Sequence, residues 1–249
     1  MRKTITESGW FLSFFGFIGL VFLSLLGCPS SEAARRIVCS DGETFYVNEV
    51  ETMETANFVA ANTDLIIVEK RYCRLTLYRD GRILKKYPVA IGKSRTPTPV
   101  GEWKIIHKGG NWGGGFGSRW LGLNVPWGIY GIHGTDKPGS IGWMSSHGCI
   151  RMYNRNIVEL YNLVRLGTPV RIIGDLPPLK LRRSYQLKAV GEGVLRLQFA
   201  LRRQGFDPGT ADARFGPAME GAVRKMQLYY GLDPTGIVMS NEQFLLDLL

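Results

Sequence analysis

The segment 96–101 constrains the fold most, because it reads Thr-Pro-Thr-Pro-Val-Gly. Two prolines at alternate positions exclude a helix interior, since each lacks an amide donor and restricts the residue before it. Short β-branched or alternating runs lie around this segment, and Asp80-Gly81 between two of them predicts a tight hairpin turn. We therefore predict a mainly β domain, built from short strands, over residues 64–174.

One short helix is predicted inside this domain. Asn156 with Glu159 three residues later has the spacing of a capping box, and Gly167 and Pro169 would end the helix. The apolar residues between them repeat at helical spacing: Ile157, Leu160, Tyr161 and Val164.

From residue 190 to 249 the pattern becomes helical, after a linker at 175–189 that contains Pro177-Pro178. Three short helices are predicted, the last one capped by Ser240 with Gln243. The residues expected to face inward, or to form the apolar face of the last helix, are Val194, Leu197, Gln198, Leu201, Ala218, Ala222, Val223, Met226, Phe244, Leu245 and Leu248. A unit of about 60 residues is near the lower size limit for independent folding.

The N-terminal residues 1–34 have the pattern of an export signal. Arg2 and Lys3 precede an uncharged apolar run at 10–27. Three outcomes stay open: lipidation of Cys28, cleavage near Ala33, or retention of the run as a membrane anchor. Each of them predicts a protein of the cell envelope, with residues 35–63 as an acidic spacer that contains a short strand at 44–47.

The charge distribution narrows the choice of partner. The chain has a net charge of +10. Its excess lies in 64–174, which holds 17 basic and 6 acidic residues in scattered positions. This pattern is typical of a mixed solvated surface or of weak attraction to an anionic polymer. No nucleic-acid-binding motif is present in the sequence, and export argues further against such a partner.

Residues 101–142 contain 13 of the 31 glycines, with several tryptophans within or beside them, among them Trp112, Trp120, Trp127 and Trp143. Two interpretations stay open for this segment. It is either a long flexible loop or a substrate-facing loop whose aromatic rings bind an extended ligand.

Two of the three histidines, His133 and His147, precede Cys149 in the glycine-rich part of the chain. A nucleophilic cysteine needs a base, because a free thiol with a pKa of about 8.5 is mostly protonated at neutral pH. Gly148 allows a sharp turn that presents backbone amides to an oxyanion, and Arg151 would share a strand face with Cys149. A buried structural thiol and a zinc site are the weaker alternatives, and we expect no metal or cofactor.

The motif Ser146-His147-Gly148-Cys149-Ile150-Arg151-Met152, with His133-Gly134-Thr135 upstream, resembles the active-site motif of the L,D-transpeptidase catalytic domain (YkuD-like). The resemblance covers about 64–174 and implies a β-sandwich with a short helix. It implies that Cys149 is the nucleophile and that His133 is the proton acceptor and donor. Oxyanion or supporting roles fall to Ser146, His147, Gly148 and Arg151, and substrate contacts to Gly134, Thr135 and Trp143.

The tail at 190–249 resembles a three-helix peptidoglycan-binding domain, through Gly205-Phe206, Phe215-Gly216 and Gly231-Leu232 among other matches. Together the two resemblances imply a cell-wall enzyme. It would acylate Cys149 with a tetrapeptide stem, release D-alanine and pass the acyl group to an amine, forming 3→3 cross-links. Carbapenems are implied as inhibitors. An L,D-carboxypeptidase, and an inactive wall-binding protein, remain as alternatives.

The other cysteines leave one question open. Export permits disulfides, and Cys39 and Cys73 could pair, which sequence alone does not decide.

Overall fold

The structure, a computed structural model, describes residues 35–38, 44–47, 64–110 and 114–249. The chain divides into two compact units, 1–54 and 55–249. In the first, β1 (Arg35–Val38) pairs antiparallel with β2 (Thr44–Val47), which confirms the strand expected at 44–47. The apolar run at 10–27, Cys28, Cys39 and Trp112 lie outside the described residues. No described helix is long and apolar enough to cross a membrane.

The second unit begins with strands and ends with helices. Its described strands are β3 (Asp64–Glu69), β4 (Arg74–Arg79), β5 (Arg82–Pro88), β6 (Ile91–Gly92), β7 (Gly101–Gly110), β8 (Arg119–Leu123), β9 (Tyr130–His133), β10 (Met144–Ser146), β11 (Ile150–Arg151) and β12 (Pro169–Ile173). Its described α-helices are α1 (Asn154–Leu163), α2 (Glu192–Arg203), α3 (Pro217–Tyr229) and α4 (Ser240–Leu245). The predicted mainly β domain with one short helix, followed by a helical region, is confirmed.

Eight strands form one curled sheet in the order β11-β9-β8-β7-β12-β3-β4-β5. Strand β7 joins two halves of this sheet, β11-β9-β8 and β12-β3-β4-β5. Its residues 101–104 pair with β12, and its residues 105–110 pair with β8. The pairs β11–β9 and β12–β3 are parallel. Beyond β5, Ala90 exchanges two backbone hydrogen bonds with Arg151, so the chain that leaves one edge strand meets the other. A curled sheet of this kind encloses a single core.

That core follows from the burial of the individual strands. In the interior strand β3, residues Leu65 to Val68 are all buried, whereas the edge strand β5 is exposed at most positions. Side chains from both halves of the sheet join Ile157 and Leu160 of α1 in one apolar cluster. Burial of each such side chain contributes about 1.5–3 kcal/mol relative to leaving it exposed.

The predicted hairpin turn is confirmed between β4 and β5. Asp80 and Gly81 both have positive φ, 51° and 75°. Asp and Gly are favoured in a two-residue type I′ turn, where both central residues need this conformation.

The predicted capping box of α1 is wrong. The helix begins at Asn154, and Glu159 instead forms a 2.7 Å ion pair with Lys85 of β5. At the other end, Lys108 Nζ donates to the carbonyl oxygens of Tyr161 and Val164, at 2.6 and 2.7 Å. A cation from β7 therefore satisfies carbonyls that the helix itself leaves free.

The interpretation of 101–142 as a long flexible loop is wrong, because β7, β8 and β9 occupy much of this segment. The tryptophans have different environments. Trp120 is buried in the sheet, Trp127 packs edge-on against Trp103 with ring centroids 5.6 Å apart, and Trp143 is 64% exposed. Glycine here serves close packing as well as turns, since a Cβ at Gly131 would lie 2.6 Å from the Trp120 ring.

The three C-terminal helices form where the sequence predicts them, with local differences. Ala218 and Phe244 are exposed, and their neighbours Met219 and Leu246 are buried instead. The predicted cap of the last helix by Ser240 with Gln243 is wrong, because α4 begins at Ser240 and the Met239 N–H before it donates to the Glu242 carboxylate at 2.9 Å. The remaining predicted inward residues of α2 and α3 are buried.

The helical region packs directly on the sheet through Glu102 of β7. The Glu102 side chain is 8% exposed and accepts hydrogen bonds from both terminal nitrogens of Arg202, at 2.9 and 3.1 Å, and from the Ala211 N–H at 2.8 Å. Its own N–H donates to the Ala211 carbonyl. Leu195 joins the apolar core of the sheet. Burial raises the pKa of Glu102, but the hydrogen bonds from Arg202 and Ala211 and the charges of Arg202 and Arg171 outweigh it and hold this pKa below its usual value.

We predict that Arg202→Met lowers the free energy of unfolding by about 3 kcal/mol, because it leaves a buried carboxylate without its main partner. The control is Arg203→Met on the same helix, which removes an exposed pair with Asp247 and should cost less than about 1 kcal/mol. Urea denaturation followed by tryptophan fluorescence measures both. Equal losses in the two variants would contradict the role of Glu102.

Candidate active site

The candidate site is built on the parallel pairing of β9 with β11. Ile150 pairs with Ile132, and Arg151 pairs with His133. Side chains of register partners in a sheet point to the same face, and successive side chains alternate. The two isoleucines are buried in the core, so Arg151 and His133 share the other face. Cys149 directly precedes β11.

The Cys149 thiol lies at the start of these two strands. Its Sγ is 4.0 Å from the carbonyl oxygen of Ile129, which directly precedes β9. Burial raises the pKa of Cys149, and a hydrogen bond from the Gly131 backbone and the charge of Arg151 oppose that increase. Cys149 and Cys73 are both free thiols.

His133 is 3% exposed and held by aromatic rings and backbone. Its ring stacks on Trp120 with centroids 5.6 Å apart, and Phe116 contacts it edge-on. Nδ1 lies 2.5 Å from the Gly134 carbonyl oxygen. Because a carbonyl only accepts, Nδ1 is the donor, and the lone pair of the neutral ring is on Nε2.

The protonation of His133 is set mainly by its burial. Burial lowers the pKa of His133, the hydrogen bond to Gly134 opposes this, the Arg151 charge lowers the pKa further, and a backbone hydrogen bond to Phe116 raises it. The net shift is downward, so the imidazole is neutral at pH 7.

Residues 146–149 form a turn that presents the thiol. The buried Ser146 hydroxyl donates to the Cys149 carbonyl at 2.6 Å and accepts from the Gly148 N–H at 3.0 Å. Gly148 has φ of +117°, and a Cβ there would lie 2.8 Å from the Tyr130 ring. Both the conformation and the close approach require glycine.

A second loop braces this turn. The Lys93 N–H and the Thr96 hydroxyl both donate to the Ser146 carbonyl, at 3.1 and 3.3 Å. Strand β6, just before Lys93, pairs with β10, which ends at Ser146. Sequence reasoning missed Thr96 and Tyr130 as site residues, although the Thr-Pro-Thr-Pro motif marked the first of them as structurally special.

Arg151 is fixed through its backbone and has an unused donor. Its N–H and carbonyl exchange hydrogen bonds with Ala90, at 2.9 and 2.8 Å. Its Nε is buried and has no hydrogen-bond partner among the described residues. A buried donor without a partner costs free energy unless a ligand satisfies it.

The other predicted site residues have varied positions. The His147 and Trp143 side chains are exposed. Gly134 packs so closely on Asn154 that a Cβ would overlap its Oδ1, and its N–H donates to the Arg119 carbonyl. Thr135 is buried and accepts from the Lys137 N–H, beside an open groove that Asp136 and Arg155 also line. No cluster of metal-ligating side chains is found in the described part of the chain.

Two family models match the chain. The L,D-transpeptidase catalytic domain (YkuD) matches residues 63–172, and the "Putative peptidoglycan binding domain" matches residues 190–238.

The chain is similar to two individual proteins and to one solved domain. The protein named "Putative L,D-transpeptidase YkuD" of Bacillus subtilis is 50% identical over 98 residues, which are 39% of this chain and 58% of that protein. "Putative L,D-transpeptidase YqjB" of Bacillus subtilis is 36% identical over 145 residues, 52% of this chain and 79% of that protein. The solved catalytic domain of the Enterococcus faecium L,D-transpeptidase is 26% identical, with a TM-score of 0.41, over 46% of this chain and 100% of that domain.

The chain belongs to the L,D-transpeptidase family, as its similarity to most of the second Bacillus protein shows. The match to the first relative spans 58% of that relative's length.

We predict that Gly148→Ala strongly reduces alkylation of Cys149, because the new methyl group would force the 146–149 turn away from Tyr130. Strain of this kind costs about 1–3 kcal/mol. The matched control is Gly142→Ala, where φ is +92° but no atom lies within 4 Å of the added Cβ. Iodoacetamide labelling read by peptide mass spectrometry compares the two. Similar labelling in both variants would show that contact with Tyr130 is unimportant.

We also predict that the alkylation rate of Cys149 rises with pH to a midpoint above the value of about 8.5 for a free thiol. The midpoint lies above that value because the pKa of Cys149 is raised, which lowers the thiolate fraction at pH 7. Arg151→Gln should move the midpoint higher, since a cation that favours the thiolate is lost, and Arg151→Lys should restore it. A midpoint below that of free cysteine would refute this electrostatic description.

Proposed function

We propose that this protein is a peptidoglycan L,D-transpeptidase that uses Cys149 as nucleophile and His133 as base. The observation that carries the proposal is the register of β9 and β11. It sets Arg151 beside His133 and places the Cys149 thiol at the start of both strands. Family membership supports the reaction class. The substrate would be a tetrapeptide stem, attacked at the carbonyl of its third residue.

In this mechanism the resting pair is neutral. His133 has a lowered pKa and Cys149 a raised one, so proton transfer from Sγ to Nε2 accompanies attack on the carbonyl. The C–S bond forms, the C–N bond to D-alanine breaks, and the imidazolium returns its proton to the leaving amine. Arg151 favours that return, because it disfavours a second cation beside it. Positioned proton transfer of this type is worth about 10²–10⁴ in rate.

The tetrahedral intermediate needs backbone donors. The Gly148 N–H is already bound to the Ser146 hydroxyl, so we assign the oxyanion to the Cys149 N–H of the same turn. The thioester is then transferred to an amine of a neighbouring stem, which gives a 3→3 cross-link. Transfer to water instead would make the enzyme an L,D-carboxypeptidase.

We further propose that the helical region binds cell-wall peptidoglycan, supported by its family match, and that the protein acts in the cell envelope, supported by the apolar run at 10–27. Because Glu102 joins this region to β7, bound glycan would have a fixed position relative to Cys149. Removal of 190–249 would also uncover the sheet core, so wall binding is better tested with point variants than with a deletion.

We predict that Cys149→Ala abolishes both product formation and acylation by a carbapenem, while Cys73→Ala, which removes the other described free thiol, retains both. Purified muropeptides with tetrapeptide stems are the substrates, and mass spectrometry detects cross-linked dimers, free tripeptide and the acyl-enzyme. His133→Ala should lower the acylation rate by about 10²–10⁴.

The products decide between the candidate activities. Dimers support the transpeptidase, tripeptide alone indicates the carboxypeptidase, and turnover by Cys149→Ala would overturn the mechanism. An unreactive wild-type thiol would favour a wall-binding protein without catalysis.

A further inference from the structure

The loop at 93–97 carries two cations, Lys93 and Arg95, and contacts the turn that holds the candidate nucleophile. The Lys93 backbone N–H and the Thr96 hydroxyl donate to the Ser146 carbonyl, and the Pro97 carbonyl oxygen lies 3.4 Å from where a Gly148 Cβ would be. Lys93 is half-buried and Arg95 is exposed. Both therefore lie on a loop that contacts the 146–149 turn at Ser146 and at Gly148.

These cations have no carboxylate partner. Among the described residues, neither Lys93 nor Arg95 takes part in an ion pair. Four of the six carboxylates of 64–174 pair with other cations: Asp64 with Arg79, Glu69 with Arg74, Glu159 with Lys85, and Glu102 with Arg202. The other two are Asp80, in the β4–β5 turn, and Asp136, in the open groove beyond His133.

Arg151 adds a third cation next to Cys149, with its buried Nε lacking any hydrogen-bond partner among the described residues. Positive side chains without carboxylate partners on neighbouring segments favour the approach of an anion. Such unpaired positive charge attracts anionic ligands over a distance of about 10 Å at 0.1 M salt.

We propose that Lys93 and Arg95 form an anion subsite that binds the free carboxylates of the peptide substrate beside Cys149. The subsite deepens the proposed function, on which it rests for the identity of the peptide. It makes these two residues determinants of specificity for anionic over amidated stems. They act by binding substrate and take no part in proton transfer.

The first test does not depend on transpeptidase activity. Iodoacetate and iodoacetamide alkylate the same thiolate and differ in charge, so the ratio of their rates at Cys149 reports the local potential and cancels changes in thiol pKa. In the full-length protein, we expect Lys93→Gln/Arg95→Gln to lower the iodoacetate-to-iodoacetamide ratio about three- to tenfold at low salt, as expected for two partly exposed charge pairs. High salt should remove the difference.

The matched control is Arg82→Gln/Lys225→Gln, which removes the same charge from the start of β5 and from α3, and should leave the ratio unchanged. An equal decrease in the control would show only an effect of net charge. An unchanged ratio in Lys93→Gln/Arg95→Gln would overturn the subsite.

The second test uses the stem itself. The Lys93→Gln/Arg95→Gln variant should lose about three- to tenfold in the second-order rate of acylation by a tetrapeptide stem with free carboxylates. It should lose little with the amidated stem. Equal losses with both stems would overturn the assignment. If no stem acylates the wild-type protein while the alkylation ratio behaves as expected, the proposed function fails and the anion subsite stands.

Discussion

The parallel pairing of β9 with β11 is the constraint on which the site depends. One register brings Arg151 beside His133 and buries Ile150 and Ile132 on the opposite face. A shift by one residue would turn the polar side chains into the core and the isoleucines out of it. The burial of two isoleucines thus fixes the positions of the polar residues on the opposite face.

Burial of Cys149 and His133 themselves sets the electrostatics of the site. It raises the pKa of Cys149 and lowers that of His133, so both groups are neutral at rest. Arg151 acts on both in the same direction, favouring the thiolate and disfavouring the imidazolium. In the proposed mechanism, this balance suits a base that takes a proton only while the thiol attacks and then returns it. Around this pair, Ser146, Thr96 and Tyr130 hold the turn by ordinary hydrogen bonds and packing.

Glu102 links this site to the helical region. It continues the backbone pairing of β7 to Ala211 and neutralises Arg202, while the adjacent Trp103 packs on Trp127. The sequence suggests two units joined by a linker, because composition and periodicity both change near residue 190. The sequence does not reveal the contact between Glu102 and the helical region. Glu102 is one of six acidic residues in the β segment, and no local feature marks it as buried.

Sequence alone determined the elements whose signals are local: the hairpin at Asp80-Gly81, the inward faces of α2 and α3, and the motif around Cys149. Local chemistry is sufficient there, because turn conformation and helical spacing depend on neighbouring residues. Prediction from the sequence failed where tertiary contacts compete with local ones. Glu159 pairs with Lys85 instead of capping α1, and the glycine-rich segment forms strands. Only the tertiary structure decided that the 93–97 loop braces the Cys149 turn and that Glu102 receives Arg202, because hydrogen bonds between residues 50 to 100 positions apart depend on how the sheet curls.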